Sequence, residues 1–150
     1  MSNLGKYKAS NLNIVRIRWE GEIIKFNLYE EVAISEAMIA KEIKYQPAHY
    51  AFLLRLHKKL LTRFEDLKLS QKKIYSELFL EAKMGSNGGR PANDDVCKAR
   101  SLSDERYIKI SKQCISARDD ADTIYACVKA FEQRKDLLQT LSSNIRKEAF

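Results

Sequence analysis

Glycine, cysteine, proline and histidine are scarce in this 150-residue chain, with five, three, two and two copies. Five glycines are too few for most glycine-rich nucleotide-binding folds. Cys97, Cys114 and Cys127 are odd in number and show no Cys-x-x-Cys spacing, which argues against both a disulfide framework and a zinc knuckle. No run of about 20 apolar residues exists to span a membrane. The segment Met1-Ser2-Asn3-Leu4-Gly5-Lys6 lacks an apolar stretch followed by a small-residue cleavage site. These absences predict a reduced, cytoplasmic chain of one domain, with or without an attached arm.

What is abundant is charge, and it is unevenly placed. The 27 Lys and Arg against 20 Asp and Glu leave a net charge of +7. Residues 1–46 carry seven basic and six acidic groups, and residues 103–150 carry nine and eight. Residues 47–83 carry eight basic groups and only four acids. A concentrated positive excess attracts polyanions, nucleic acid foremost in a cytosol. A solvated Lys-rich helix face is the alternative.

Residues 1–12 read as a loose polar start. Ile14 to Trp19 and Glu22 to Phe26 are β-prone on either side of Glu20-Gly21, a pair suited to a two-residue hairpin turn. A lone hairpin is marginal in water and has to dock on something; an extended oligomerisation arm fits the same residues. Residues 1–28 are thus an N-terminal arm or β-hairpin, ahead of a helical domain over 29–150.

Within that domain, Val32, Ile34, Ala37, Met38, Ile39 and Ile43 predict a helix over about 29–44. Tyr45-Gln46-Pro47 breaks it, and Pro47 suits the first turn of a new helix over 48–83. There Leu53, His57, Leu60, Phe64, Leu67, Gln71, Ile74 and Leu78, in steps of four and three, form one seam. Arg55, Lys59 and Arg63 lie about 200° around the helix from it and should face solvent. Met84 to Pro91 holds three of the five glycines and forms a break. Asn93 suits the cap of a short helix over 94–101, and Ser103 the cap of a last helix over 104–147. That last helix repeats the pattern through Ile110, Cys114, Ala117, Ala121, Ile124, Val128, Phe131, Lys135, Leu138, Ser142 and Ile145, with Lys135 and Ser142 as interruptions. Two such helices should fold back and bury their seams together. The fold class is mainly α: a long antiparallel helical hairpin or coiled coil with a short N-terminal arm or β-hairpin, expected to be oligomeric.

Catalytic signatures are wanting. His49 and His57, eight residues apart, point roughly 80° apart on one helix and do not form an i, i+4 chelating pair. His57 falls in the seam and reads as an interface histidine. The loop Gly85-Ser86-Asn87-Gly88-Gly89-Arg90 lacks the Gly-Lys-Ser/Thr ending of a P-loop and follows no strand; it reads as a linker, with Arg90 as a candidate phosphate contact. Asp119, Asp120 and Asp122 raise a metal-dependent nuclease, but neighbouring helical residues diverge by about 100° and do not converge on one ion unaided. The three cysteines read as small hydrophobes. No cofactor and no enzymatic activity are expected.

The stronger signal is for nucleic acid. Arg55, Lys58, Lys59, Arg63, Lys68, Lys72, Lys73 and Lys83, with Arg90 beyond them, are the candidate phosphate-binding cations. Tyr50, Phe52, Phe64, Tyr75 and Phe79 interleave with them, and single strands are held by such a mixture of cations and stacking rings. Phe64 lies in the seam, which leaves Tyr75 and Phe79 as the rings available to bases. A membrane-surface helix is disfavoured by Glu65, Asp66, Glu77 and Glu81 on the same polar face.

The order of a Pro-marked helix start, a Lys-rich helix, a glycine-marked break and a long C-terminal helix resembles the UvsY-type recombination mediators of tailed phages. The resemblance covers roughly residues 46–147. It is carried by Gln46-Pro47-Ala48-His49-Tyr50-Ala51-Phe52, by Leu102-Ser103-Asp104-Glu105-Arg106-Tyr107, by Ala130-Phe131-Glu132-Gln133-Arg134 and by Asn144-Ile145-Arg146. The first 45 residues have no recognisable counterpart. The family's Lys-Ala-Arg-x-x-Tyr-Tyr-x-Gly stretch would end at Gly85, where this chain reads Glu77-Leu78-Phe79-Leu80-Glu81-Ala82-Lys83-Met84-Gly85; only the glycine is retained. The resemblance implies a non-enzymatic protein that binds single-stranded DNA, forms ring-like homo-oligomers and helps a RecA-type recombinase displace single-strand-binding protein. Leu54, Leu61, Leu69, Tyr125 and Leu141, flanking the seams, would supply subunit contacts. A helical adaptor or scaffold acting only through protein partners is the alternative function.

Overall fold

A computed structural model describes residues 11–85 and 91–148. After a single 3-10 turn, strands β1 (Ile14–Trp19) and β2 (Glu22–Asn27) pair antiparallel. Glu20 and Gly21 take φ of 50° and 85°, the paired positive values of the tight turn that matches strand twist. Helix α1 (Leu28–Val32) follows, then a 3-10 turn, helix α2 (Ile39–Met84), helix α3 (Asp94–Ser103) and helix α4 (Glu105–Glu148). The chain divides into two compact units, residues 1–57 with 122–150 and residues 58–121. Both long helices contribute to each unit, and within each they run antiparallel.

In the first unit the hairpin alternates. Val15 and Ile17 are buried, and their cross-strand partners Phe26 and Ile24 are half-buried on the same face. Phe26 lines an apolar hollow with His49, Phe52 and Leu53 of α2 and Phe131 of α4. Docking of this inner face supplies the support that two strands lack alone. Leu53, Leu56, Ile124, Cys127, Val128, Phe131 and Leu138 are buried with it.

Two expectations fail here for one reason. The helix over 29–44 is not continuous: it stops at Val32 and restarts at Ile39. Position 135 is not where the polar residue enters the core; Lys135 is exposed and Arg134 is buried. Arg134 donates from Nε to the Val32 carbonyl (3.3 Å), from Nη2 to the Ala33 carbonyl (3.2 Å) and from Nη1 to Gln46 Oε1 (2.6 Å). Gln46 Nε2 in turn donates to the Phe131 carbonyl at 2.8 Å. Glu42 Oε2 sits 3.3 Å from Arg134 Nη2 and has no other partner among the described residues. A guanidinium that takes up the carbonyls at the end of α1 does what a further helical turn would otherwise do.

Pro47 likewise does not open a helix but sits inside α2. Its ring removes the hydrogen bond to the Ile43 carbonyl. Pro47 and Ile43 are both exposed, so the lost bond lies on the outward side of the helix, while the adjacent Gln46 is buried and anchored.

In the second unit Leu60, Leu78, Cys97, Ile110, Cys114, Ala117 and Ala121 are buried. None of the eight seam positions expected along α2 is exposed, and eight of the eleven along α4 are buried, Lys135, Ser142 and Ile145 being the exceptions. Asn93 caps α3, accepting from the Asp95 amide at 3.0 Å. Ser103 does not cap α4. It ends α3, with its hydroxyl bonded back to the Ala99 carbonyl, and Asp104 accepts from the Arg106 amide at 2.8 Å instead.

Removing Arg134 alone strands Glu42 and Gln46, so Arg134→Leu should cost about 3–5 kcal/mol in urea unfolding. Adding Glu42→Leu should return most of that loss, and full additivity of the two changes would refute the coupling. Pro47→Ala restores a helical hydrogen bond and should stabilise by about 1–3 kcal/mol, read as a rise in thermal midpoint.

Candidate nucleic-acid interface

On one flank of the second unit, α2 presents Phe64, Lys68, Gln71, Lys72 and Tyr75, and α4 presents Tyr107, Ser111, Ile115 and Arg118. The spacings of three and four put each set on one side of its helix. Gln71 Nε2 donates to Ser111 Oγ at 2.8 Å, which fixes the register of the two sides. At one end Lys68 Nζ and the Arg118 guanidinium lie 5.3 Å and 6.0 Å from the centre of the Phe64 ring. At the other end Tyr75 meets Tyr107 edge-on, with centroids 5.9 Å apart, and Phe79 at 6.3 Å.

The result is two adjoining hollows that share Gln71. Their linings combine Lys68, Lys72 and Arg118 with Phe64, Tyr75 and Tyr107, and contain no carboxylate. Such a groove offers charge to phosphates and ring faces to unstacked bases, the two attractions that hold single strands.

Of the nine candidate cations, the structure brings two, Lys68 and Lys72, into this groove. Lys73 is exposed and one residue on, hence turned about 100° away, and lies 3.9 Å from Glu77. Arg55, Lys58, Lys59 and Arg63 are exposed; Arg55 belongs to the first unit. Arg63 is drawn to Asp120, whose carboxyl burial pushes up and the arginine pulls down. Lys83 is committed elsewhere: its ammonium bonds Asp94 at 2.7 Å and rests over the Phe79 ring. Arg90 lies outside the described residues. Of the aromatics, Tyr75 and Phe79 are half-buried in their own cluster. Tyr50, in the first unit, donates its hydroxyl to Glu132 at 2.8 Å.

Tyr107, Ser111 and Arg118 were missed because α4 carries little net charge. The available signal was their spacing of four and seven beside the apolar seam.

Histidine, acid and thiol groups show no catalytic arrangement among the described residues. His57 stacks at 5.1 Å on Tyr125. Asp119 and Asp122 are exposed and Asp120 half-buried, and among the described residues no three His, Cys, Asp or Glu stand close enough to hold a metal ion. Burial pushes the Cys127 thiol up to about 11 and raises that of Cys114 as well, so neither supplies a thiolate nucleophile at neutral pH. No described helix is long and apolar enough to cross a membrane.

No family model and no curated protein matches this chain. Among solved structures it is similar to the crystal structure of the bacteriophage T4 recombination mediator protein UvsY, with a TM-score of 0.65 at 15% identity. The likeness covers 81% of this chain and 95% of that one, and at this identity it is a likeness of fold. A share of 81% exceeds the roughly two thirds between residues 46 and 147, so the likeness reaches into the first 45 residues, where the sequence shows no counterpart.

At the α3–α4 junction Arg106 clamps Glu81 (2.8 Å) and Asp104 (3.1 Å). Hydrogen bonds from Arg106 hold both carboxyls below the usual range, as Lys83 does for Asp94. Lowered carboxyl values give stability that is complete above the unfolded range, about pH 4, and is lost as pH falls through the folded values. Protection of the Arg106 amide and its first-turn neighbours against hydrogen exchange should therefore fall below about pH 4; constant protection down to pH 2 would contradict the clamp.

Proposed function

We propose that this protein is a single-stranded-DNA-binding recombination mediator or accessory factor, encoded by a phage or mobile element and acting in the host cytoplasm. It has no catalytic role of its own; it binds the strand as a homo-oligomer and assists a RecA-type recombinase in displacing single-strand-binding protein. The observation that carries this reading is the acid-free groove of Phe64, Lys68, Lys72, Tyr75, Tyr107 and Arg118. Likeness in fold to a phage recombination mediator supports it independently. Leu54 and Tyr125 in the first unit and Leu61 and Leu69 in the second are exposed to between 39% and 65%, and large apolar groups left in the open support burial against further copies. Repetition of a weak groove around an assembly would turn modest contacts into tight binding.

Fluorescence anisotropy with labelled oligo-dT tests it. Binding should be micromolar or tighter in low salt and weaken steeply as salt rises. Substituting Lys68, Lys72 and Arg118 by Ala should lower the slope of log K against log salt by about two. Tyr75→Ala with Tyr107→Ala should cost about 1–3 kcal/mol per unstacked base. Lys59→Ala with Lys73→Ala, on the outer line, should do less than the groove variants. Absence of binding in low salt would leave the adaptor that acts only through protein partners.

A further inference from the structure

The hairpin has an outer face that the groove does not use. Cross-strand partners share a face, so Ile14 with Asn27, Arg16 with Lys25 and Arg18 with Ile23 lie opposite the buried Val15 and Ile17. Arg16, Arg18, Lys25 and Ile23 are all exposed. Directly opposed side chains have Cβ atoms about 4.5–5.5 Å apart, and like charges so placed repel. Among the described residues no carboxylate is within ion-pair distance of Arg16 or Lys25 to relieve them. Arg18 adds a third cation about 6.6–6.8 Å along the same strand. Three cations in one ladder, two of them planar guanidinium forks suited to phosphate, therefore sit on the face of the strand pair opposite the one that docks.

From this we propose that the outer face of the hairpin is a second phosphate-binding surface, which takes the sugar–phosphate backbone of single-stranded DNA at Arg16, Arg18 and Lys25. The inference rests on the single-strand-binding reading and adds a surface in the other unit. A ladder of exposed cations suits a backbone that repeats its charge at every nucleotide, and such a backbone relieves the Arg16–Lys25 repulsion on binding. Ile14 and Ile23 bracket the cations and give apolar contact to a sugar or base edge.

The test is the salt dependence of oligo-dT binding by the full chain and by Arg16→Thr/Arg18→Thr/Lys25→Thr, with helical circular dichroism and thermal midpoint recorded for each. Threonine suits an exposed strand position, and removal of the like-charge pair should leave the midpoint equal or higher. The slope of log K against log salt should fall by about two, and affinity in low salt by at least tenfold, with about 0.7 of slope lost in each of the single variants Arg16→Gln and Lys25→Gln. The single variants decide the matter should the triple variant lose its helical signal. Slopes within error of the parent chain, beside a weakened groove variant, overturn this inference alone. If the same substitutions leave oligo-dT untouched and abolish binding of poly-glutamate, the face is an acidic-peptide site and the inference is likewise overturned. Failure of the parent chain to bind oligo-dT in low salt overturns it together with the function it rests on.

Discussion

The first unit is organised by one buried guanidinium. Taking a charge out of water is costly unless every donor is met, and Arg134 is met by two carbonyls at the end of α1, the Gln46 amide and the Glu42 carboxylate. Those partners lie on two neighbouring elements, the end of α1 and the start of α2, both about ninety to a hundred residues before the arginine on α4. The arginine thereby decides where α1 stops, where α2 is held at Gln46, and how α4 lies against both. An aliphatic residue there would fill the space without selecting that arrangement.

The second unit sorts its cations by task. Lys83 and Arg106 are spent on structure, closing α3 and α4 onto the end of α2 through Asp94, Glu81 and Asp104. Lys68, Lys72 and Arg118 line the hollows beside aromatic rings, and no carboxylate is among the lining residues. Net charge alone treats all of these as one positive field. Carboxylate neighbours neutralise the first group, while Lys68, Lys72 and Arg118 line the proposed single-strand groove.

Much of the fold was legible because burial imposes a period on the sequence. The seams along α2 and α4, the turn at Glu20-Gly21 and the cap at Asn93 each follow from local geometry and local hydrogen bonding. Pro47, Ser103 and Lys135 misled for a complementary reason. Proline usually marks a helix boundary, yet here it sits on an exposed stretch of a continuing helix; Ser103 is a good cap residue, yet Asp104 both caps and meets Arg106. At 134–135, pattern alone does not say which of two adjacent cations turns inward, since that depends on carbonyls about a hundred residues away. The groove was half legible: α2 announces Lys68, Lys72 and Tyr75, whereas Tyr107, Ser111 and Arg118 acquire meaning only beside them.

By itself, then, the sequence determined the helical class, the two apolar seams, a turn at Glu20-Gly21 compatible with a hairpin or an arm, and the basic bias of the middle segment, because periodicity, turn chemistry and composition are properties of neighbours along the chain. Tertiary structure alone decided that Arg134 is a core residue, that Lys83 is bound to Asp94, and that an aromatic and cationic groove forms between two antiparallel helices. Each of those facts depends on which distant polar group comes within about 3 Å, and hydrogen-bond partners that far apart in sequence leave no local trace.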